Sequence, residues 1–143
     1  MLESVQPMSE RATIPSGAPW ESVAGYSRAV RVGRFIEVAG TTAVDAQGVF
    51  HGVGDAGAQT QYVLEKIQHA IEEAGGALSD VVRTRIFVTD RNNMMEVAKV
   101  HGIFFREIMP VSTGVVIGGL IDDRLLVEIC LLYTYPSPRD YPG

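Results

Sequence analysis

The sequence is poor in cysteine and has no long apolar run. Its 143 residues include one cysteine, Cys130, which excludes an internal disulfide and fits a reducing compartment. No apolar run approaches the roughly 20 residues that span a bilayer, and the N-terminus lacks the basic and then apolar pattern of a secretory signal. We therefore expect a cytoplasmic protein that does not interact with membranes.

Positive charge is also scarce. The chain has 12 Lys and Arg against 17 Asp and Glu, a net charge of −5, whereas nucleic-acid phosphates require a clustered basic surface. We expect no nucleic-acid partner, although several arginines could still form a local basic patch: Arg28, Arg31, Arg34, Arg83, Arg85 and Arg91. With 46% apolar and 20% charged residues, the composition predicts one folded domain over residues 1–143.

Two segments have the apolar period of helices. Residues 55–74 repeat apolar side chains every three or four positions, with Asp55 as the N-cap and two glycines at the end. Residues 93–108 repeat in the same way, from a capping box that begins at Asn93 to a stop at Pro110. Both segments are therefore predicted to be amphipathic helices.

Alternating apolar residues predict strands at 26–32, 35–44, 82–88, 113–120 and 125–133, with a short additional strand possible at 49–50. Gly33 and Arg34 form a two-residue hairpin turn between the first two strands. The element order is then ββ(β)αβαββ. The sequence predicts an α+β fold in which a mixed β-sheet has two helices packed on one face.

Two helices leave the other face of the sheet uncovered. Arg83, Arg85 and Phe87 are expected on that face, and Val82 on the covered one. A face of mixed apolar residues and arginines is too large to remain wet, so we expect it to contact another subunit. Gly40, inside a strand, indicates close approach of a backbone or a ligand.

Neither a cofactor nor a metal is expected from the motifs. Residues 52–57 match G-x-G-x-x-G at a helix start, but the preceding apolar run is short and too little chain follows for a dinucleotide fold. A turn with a helix cap is the favoured interpretation. His51 and His69 have no partner at the spacing of metal ligands.

Three residues within apolar segments are candidates for chemistry. His101 is either a hydrogen-bonded core or interface histidine or a general base. Cys130 lies in an apolar strand and is expected to be structural. Glu128 interrupts the apolar run 125–132, where a buried carboxylate requires either a partner or a function. The alternatives for Glu128 are an edge position or a structural pair with an arginine.

Seven segments together resemble the reactive intermediate deaminase family, also called the Rid or YjgF family. In chain order they are GYSRA at 25–29, VAG at 38–40, QT at 59–60, EAGG at 73–76, DVVRT at 80–84, VTD at 88–90 and VEI at 127–129. The resemblance implies a chorismate-mutase-like single domain that assembles as a homotrimer. It also implies a small-molecule cleft between each pair of subunits.

The resemblance implies hydrolysis of reactive 2-imino or enamine acids to 2-oxo acids and ammonia. In the family an arginine holds the substrate carboxylate, but Ser112 occupies its position here and supplies no charged fork. We predict catalytic roles for Glu128 and Tyr26. Substrate-binding roles are predicted for Gly40, Ser112, Thr113, His101 and Arg85. The alternative is a non-catalytic, metabolite-binding or chaperone-like trimer.

The C-terminal segment departs from the family. Residues from about 130 to 143 resemble a translated sequencing adapter, as read-through in a metagenomic assembly would give, and a natural tail is the alternative. The expected family core is therefore about 25–129, after an N-terminal extension at 1–19.

Overall fold

The computed structural model describes residues 11–134. The strands are β1 (Arg11–Ile14), β2 (Ala29–Val32), β3 (Phe35–Thr41), β4 (Val81–Val88), β5 (Val111–Val116) and β6 (Val127–Thr134). The helices are α1 (Trp20–Ala24), α2 (Ala56–Glu73) and α3 (Met94–Phe105). Short 3₁₀ turns at Leu78–Asp80 and Arg91–Asn93 precede β4 and α3.

All six strands form one mixed sheet in the order β1-β2-β3-β6-β4-β5. Every pair is antiparallel except β4 with β5, which α3 connects as a crossover. Helices α2 and α3 pack on the same face of the sheet, and this arrangement confirms the predicted α+β fold. Between that face and the two helices lies the core, which includes Ile36, Val63, Leu64, Ile67, Ile71, Ile86, Val88, Val97, Phe105, Val127, Ile129 and Leu131.

Several boundaries differ from the prediction, each for a local reason. Tyr26 does not begin β2, because its backbone N–H donates to the Glu21 carbonyl oxygen in the first turn of α1. Strand β5 ends at Val116 rather than residue 120, because β4, its partner among the six described strands, ends at Val88. The predicted strand at 49–50 is a single bridge between Val44 and Phe50.

The capping of α3 also differs from the prediction. Asp90, rather than Asn93, accepts a backbone hydrogen bond, from Asn92 at 2.8 Å, and Asn93 caps nothing with its side chain. The turn at Arg91–Asn93 therefore moves the cap one turn upstream of the predicted capping box.

Two β-bulges change which side chains reach the core. In β3, Val38 pairs with Leu131 and Thr41 with Ile129, so β3 has one residue more than β6 over this stretch. Thr41 is buried as a result, and Gly40 turns to the uncovered face. A second bulge in β4 leaves Val82 41% exposed, which corrects its predicted place on the covered face.

The two segments expected outside the family core both contribute strands. Strand β1 pairs with β2, and β6 continues through residues 130–134, where Leu131 and Tyr133 are buried. Residues 135–143 lie outside the described part of the chain, so the origin of the tail stays a prediction. Among the helices of residues 11–134, none has the length and apolar content needed to cross a membrane.

Candidate functional site

Glu128 lies in the middle of the sheet, on the face that α2 and α3 leave uncovered. The side chains of β6 alternate strictly, so Val127 and Ile129 are buried in the core while Glu128 and Cys130 are half-buried on the other side. Phe87 of β4 is the register partner of Glu128. The predicted catalytic carboxylate therefore lies in a partly dry position on a central strand.

Gly40 and Glu128 are brought together by the bulge in β3. A β-carbon added to Gly40 would overlap the Glu128 carboxylate, so the absence of a side chain at residue 40 provides the space that this carboxylate fills. The sequence predicted close approach of a backbone or a ligand at Gly40. The group that approaches within the chain is the Glu128 side chain.

Arg28 stabilises the bulge by hydrogen bonds to the residues that form it. Its Nη1 donates to the carbonyl oxygens of Gly40 at 2.9 Å and Ala39 at 3.4 Å, and to Thr41 Oγ1 at 3.2 Å. These carbonyls are turned away from the regular ladder by the bulge, so the guanidinium satisfies them. The sequence did not indicate this role of Arg28, because the bulge that brings these oxygens to the guanidinium leaves no sequence signal.

The pKa of Glu128 depends on its burial and on the charge of Arg28. Burial raises the pKa of Glu128 above its usual range, and the positive charge of Arg28 offsets part of that rise. A carboxyl group of this kind can hold or release a proton closer to neutral pH than an exposed glutamate. It is therefore suited to proton transfer.

Arg85 and Thr113 lie on the same uncovered face as Glu128. Arg85 pairs in register with Cys130 on one side and with Thr113 on the other. Burial raises the pKa of the Cys130 thiol, although Arg85 acts in the opposite direction, so the thiol is kept protonated and unreactive.

His101 and Ser112 belong to a separate group on the covered face. Thr84 Oγ1 lies 2.9 Å from His101 Nε2 and donates to Ser112 Oγ at 2.8 Å. Burial lowers the pKa of His101, and its ring packs against Phe105 with centroids 4.6 Å apart. Within one chain, these two predicted substrate-binding residues lie across the sheet from Glu128.

Tyr26 stands apart from both groups. It lies between α1 and β2 with 42% of its surface exposed. Among residues 11–134, no hydrogen bond or ion pair joins Tyr26 to Glu128. One chain alone therefore does not assemble all the predicted site residues.

Gln59 is a second residue that sequence analysis did not assign to the site. Its amide donates to the carbonyl oxygens of Arg124 at 2.8 Å and Gly52 at 3.2 Å, and its carbonyl accepts from the Leu126 N–H at 2.9 Å. Gln59 is 1% exposed. It therefore ties the start of α2 to the segment that leads into β6 and Glu128.

The glycine-rich segment and the histidines have local roles. Asp55 caps α2 by accepting from the Ala58 N–H at 3.0 Å, and Gly57 leaves room for the Glu96 carboxylate of α3. His51 bonds to Asp45 at 2.9 Å and stacks on Tyr62. Within residues 11–134, no three His, Cys, Asp or Glu side chains are grouped so that they could hold a metal ion.

Comparisons of the sequence and of the fold both find related proteins. The family model described as Endoribonuclease L-PSP matches residues 16–133. The 3-aminoacrylate deaminase RutC of Acinetobacter baylyi is 34% identical over 122 residues, which cover 85% of this chain and 95% of that protein. An uncharacterized protein of Streptomyces coelicolor is 36% identical over 116 residues, or 81% of this chain and 86% of that one.

A solved structure gives the same result. Rv2704 of Mycobacterium tuberculosis, described as a member of the YjgF/YER057c/UK114 family, is 43% identical with a TM-score of 0.76. The alignment covers 87% of this chain and 99% of that one. The chain therefore belongs to the endoribonuclease L-PSP family, which is the YjgF or Rid family that its motifs resemble.

Proposed function

We propose that the protein is a homotrimeric hydrolase of small reactive imines or enamines, with Glu128 positioning the attacking water. The observation that carries this proposal is the half-buried Glu128 carboxylate, held over Gly40 on the uncovered face of the sheet. RutC, by its name, deaminates 3-aminoacrylate, an enamine acid. We extend only that class of reaction, deamination by hydrolysis, to this chain.

The chemistry requires one group that first takes and then returns a proton. The ionised Glu128 carboxylate accepts a proton from water as the water oxygen bonds to the imine carbon. Protonated Glu128 then gives that proton to the imine nitrogen, which completes a tetrahedral carbinolamine. The carboxylate next moves the hydroxyl proton of the carbinolamine to its nitrogen, the C–N bond breaks, and ammonia leaves a carbonyl product. A raised glutamate pKa makes the carboxylate a stronger base, which favours the first transfer, from water to Glu128.

Assembly would complete the cleft. Ser112 and Glu128 lie on opposite faces of one sheet, but Ser112 is exposed on the edge strand β5. In a trimer, Ser112 of one subunit can approach Glu128 of the next. The net charge of −5 argues against RNA as the substrate.

The substrate should differ from a simple 2-imino acid. A charge-assisted hydrogen bond to a carboxylate contributes about 1.5–3 kcal/mol, and Ser112 offers only a neutral hydroxyl. The second candidate function, non-catalytic metabolite binding, is favoured by this one residue.

The test measures the release of 2-oxo acid from 2-imino acids formed in situ by an amino-acid oxidase. We expect weak activity in the wild type and activity about ten- to a hundredfold higher in Ser112→Arg. Glu128→Gln should have no activity. Glu37→Gln is the matched control, because Glu37 is an exposed carboxylate on the same face.

Fast wild-type turnover of 2-iminopropanoate would mean that another cation replaces the family arginine. Activity in Glu128→Gln equal to wild type would exclude Glu128 as the proton carrier. If neither the wild type nor Ser112→Arg hydrolyses any imine or enamine tested, the non-catalytic function is favoured.

A further inference from the structure

A groove on the covered side of the sheet has no part in the proposed reaction. It lies between α2 and the β2–β3 hairpin, with residues 14–16 along its rim, and its volume is about 450 Å³. Pockets of roughly 300–1,000 Å³ hold small molecules. Ala29 and Val38 form its floor on the core side of the sheet, whereas Glu128 lies on the opposite face.

The wall of the groove is apolar and only partly covered by the protein. Ile67 and Ile71 of α2 line it from buried positions. Ala70 lies between them on the apolar stripe of α2, yet it is exposed in the groove. An apolar stripe that residues 11–134 leave partly uncovered can be covered by an apolar ligand.

Two cations line one end of this groove. Lys66 Nζ donates to the Val44 carbonyl oxygen at 2.7 Å, and Arg28 Nη1 to that of Gly40 at 2.9 Å. A lysine has three donor hydrogens and an arginine five, so both have donors beyond these bonds. Burial and the charge of Arg28 both lower the pKa of Lys66, while the charge of Asp45 acts in the opposite direction. An anion beside the two cations would be stabilising because it would offset their mutual repulsion.

The other end of the groove has the opposite charge. Glu73, which also lines it, is seven residues along α2 from Lys66, or about 10 Å at 1.5 Å per residue. Its carboxylate lies 3.4 Å from His69 and remains mostly exposed. A ligand with a second negative charge at this end would be repelled.

We propose that this groove binds an amphipathic monocarboxylate about 10 Å long, with its carboxylate at Lys66 and Arg28 and its apolar chain along Ala70 and Ile71. Charge complementarity at the first end, the apolar wall and Glu73 at the far end select such a ligand over an alkylammonium or a dicarboxylate. The proposal does not rest on the proposed hydrolysis, although Arg28 is common to the groove and to the surroundings of Glu128.

The chain offers an internal control, because Lys66 and Lys99 are its only lysines. In the full-length protein, reductive methylation with ¹³C-formaldehyde gives each lysine its own NMR signal and keeps its charge. On titration with octanoate, we expect the Lys66 signal to shift saturably while the signal of Lys99, exposed on α3, does not move.

Variants test the charge and the space separately. In calorimetry, Lys66→Gln should weaken octanoate binding about ten- to a hundredfold, whereas Lys99→Gln should leave it unchanged. Ala70→Trp should abolish binding by filling the groove, with the fold checked by circular dichroism. Glu128→Gln should bind octanoate like the wild type, which separates this proposal from the proposed hydrolysis.

Octylamine and octanedioate complete the design. Both should bind at least about tenfold more weakly than octanoate. Equal binding of octylamine, or equal shifts at both lysines, would overturn the proposal because it would indicate non-specific hydrophobic association. The absence of any octanoate binding would also overturn it.

Discussion

The two faces of the sheet are built from the same strands but differ in whether their polar side chains are hydrogen-bonded within the chain. On the covered face, Thr84 and Thr41 are buried and each is hydrogen-bonded. On the uncovered face, the Glu128 carboxylate has no hydrogen-bond partner among the described residues, and the charge of Arg28 offsets only part of the cost of its burial. One face is thus completed by its own helices, while the other retains an available carboxylate. A polar group on the uncovered face is therefore a better candidate for function than a satisfied one in the core.

The largest expected effect is on assembly through the uncovered face. The wild type should have the mass of a trimer in light scattering at micromolar concentration, and Leu132→Asp should give a monomer, because it places a charge in the centre of the proposed contact. Ile103→Asp on α3 is the control, since Ile103 is 68% exposed on the helical side. A monomeric wild type would contradict this prediction, because the uncovered face of the sheet would then be exposed to water.

A smaller effect compares neighbouring residues of β6. Ile129→Ala should lower the free energy of unfolding by about 2–5 kcal/mol, because Ile129 is fully buried against α2 and α3. Cys130→Ala, one residue later on the uncovered face, should lower it by about 1 kcal/mol or less. Urea unfolding at one fixed protein concentration measures both. Equal losses would show that the two faces are packed alike.

The smallest expected effect is the pH dependence of stability, which has opposite sign on the two faces. Burial raises the pKa of Glu128 above its ordinary 4.5, so its contribution to stability is complete below that pH and is lost as pH rises through the folded pKa. Burial lowers the pKa of His101 below 6.5, so its contribution is complete above that pH and is lost as pH falls through the folded pKa.

Unfolding free energies between about pH 4 and pH 8 measure this difference. The wild type minus Glu128→Gln difference should decrease as pH rises, and the wild type minus His101→Gln difference should increase. If both differences changed in the same direction as pH rises, the two residues would not be buried as described.

The features that were predicted correctly are those that follow from regular spacing along the sequence. The apolar period located α2 and α3, and the alternation in residues 125–133 placed Glu128 among buried neighbours. The turn at Gly33 and Arg34 joins Val32 to its register partner Phe35, as predicted. These features depend on local spacing, which a single sequence contains.

The bulges could not be predicted, because an extra residue in a strand leaves no periodic signal. Thr41, Val82 and Gly40 therefore face differently from the simple alternation, and the role of Arg28 depends on one of these bulges. Ser112 and Thr113 must face opposite sides of β5, but which of them faces the helices is decided by the pairing of β5 with β4.

The position of β6 has a consequence for synthesis. The strand reached last along the described chain lies in the centre of the sheet, and it alone joins β3 to β4. A nascent chain that has not yet reached residue 127 consists of two half-sheets, each with an unpaired inner edge. At about 5–20 residues per second, the residues between the end of β5 and the end of β6 take about 1–4 seconds to add, and this state lasts at least that long. Such edges pair readily with other chains. A ribosome that stalls shortly before β6 therefore holds the most aggregation-prone form of this protein.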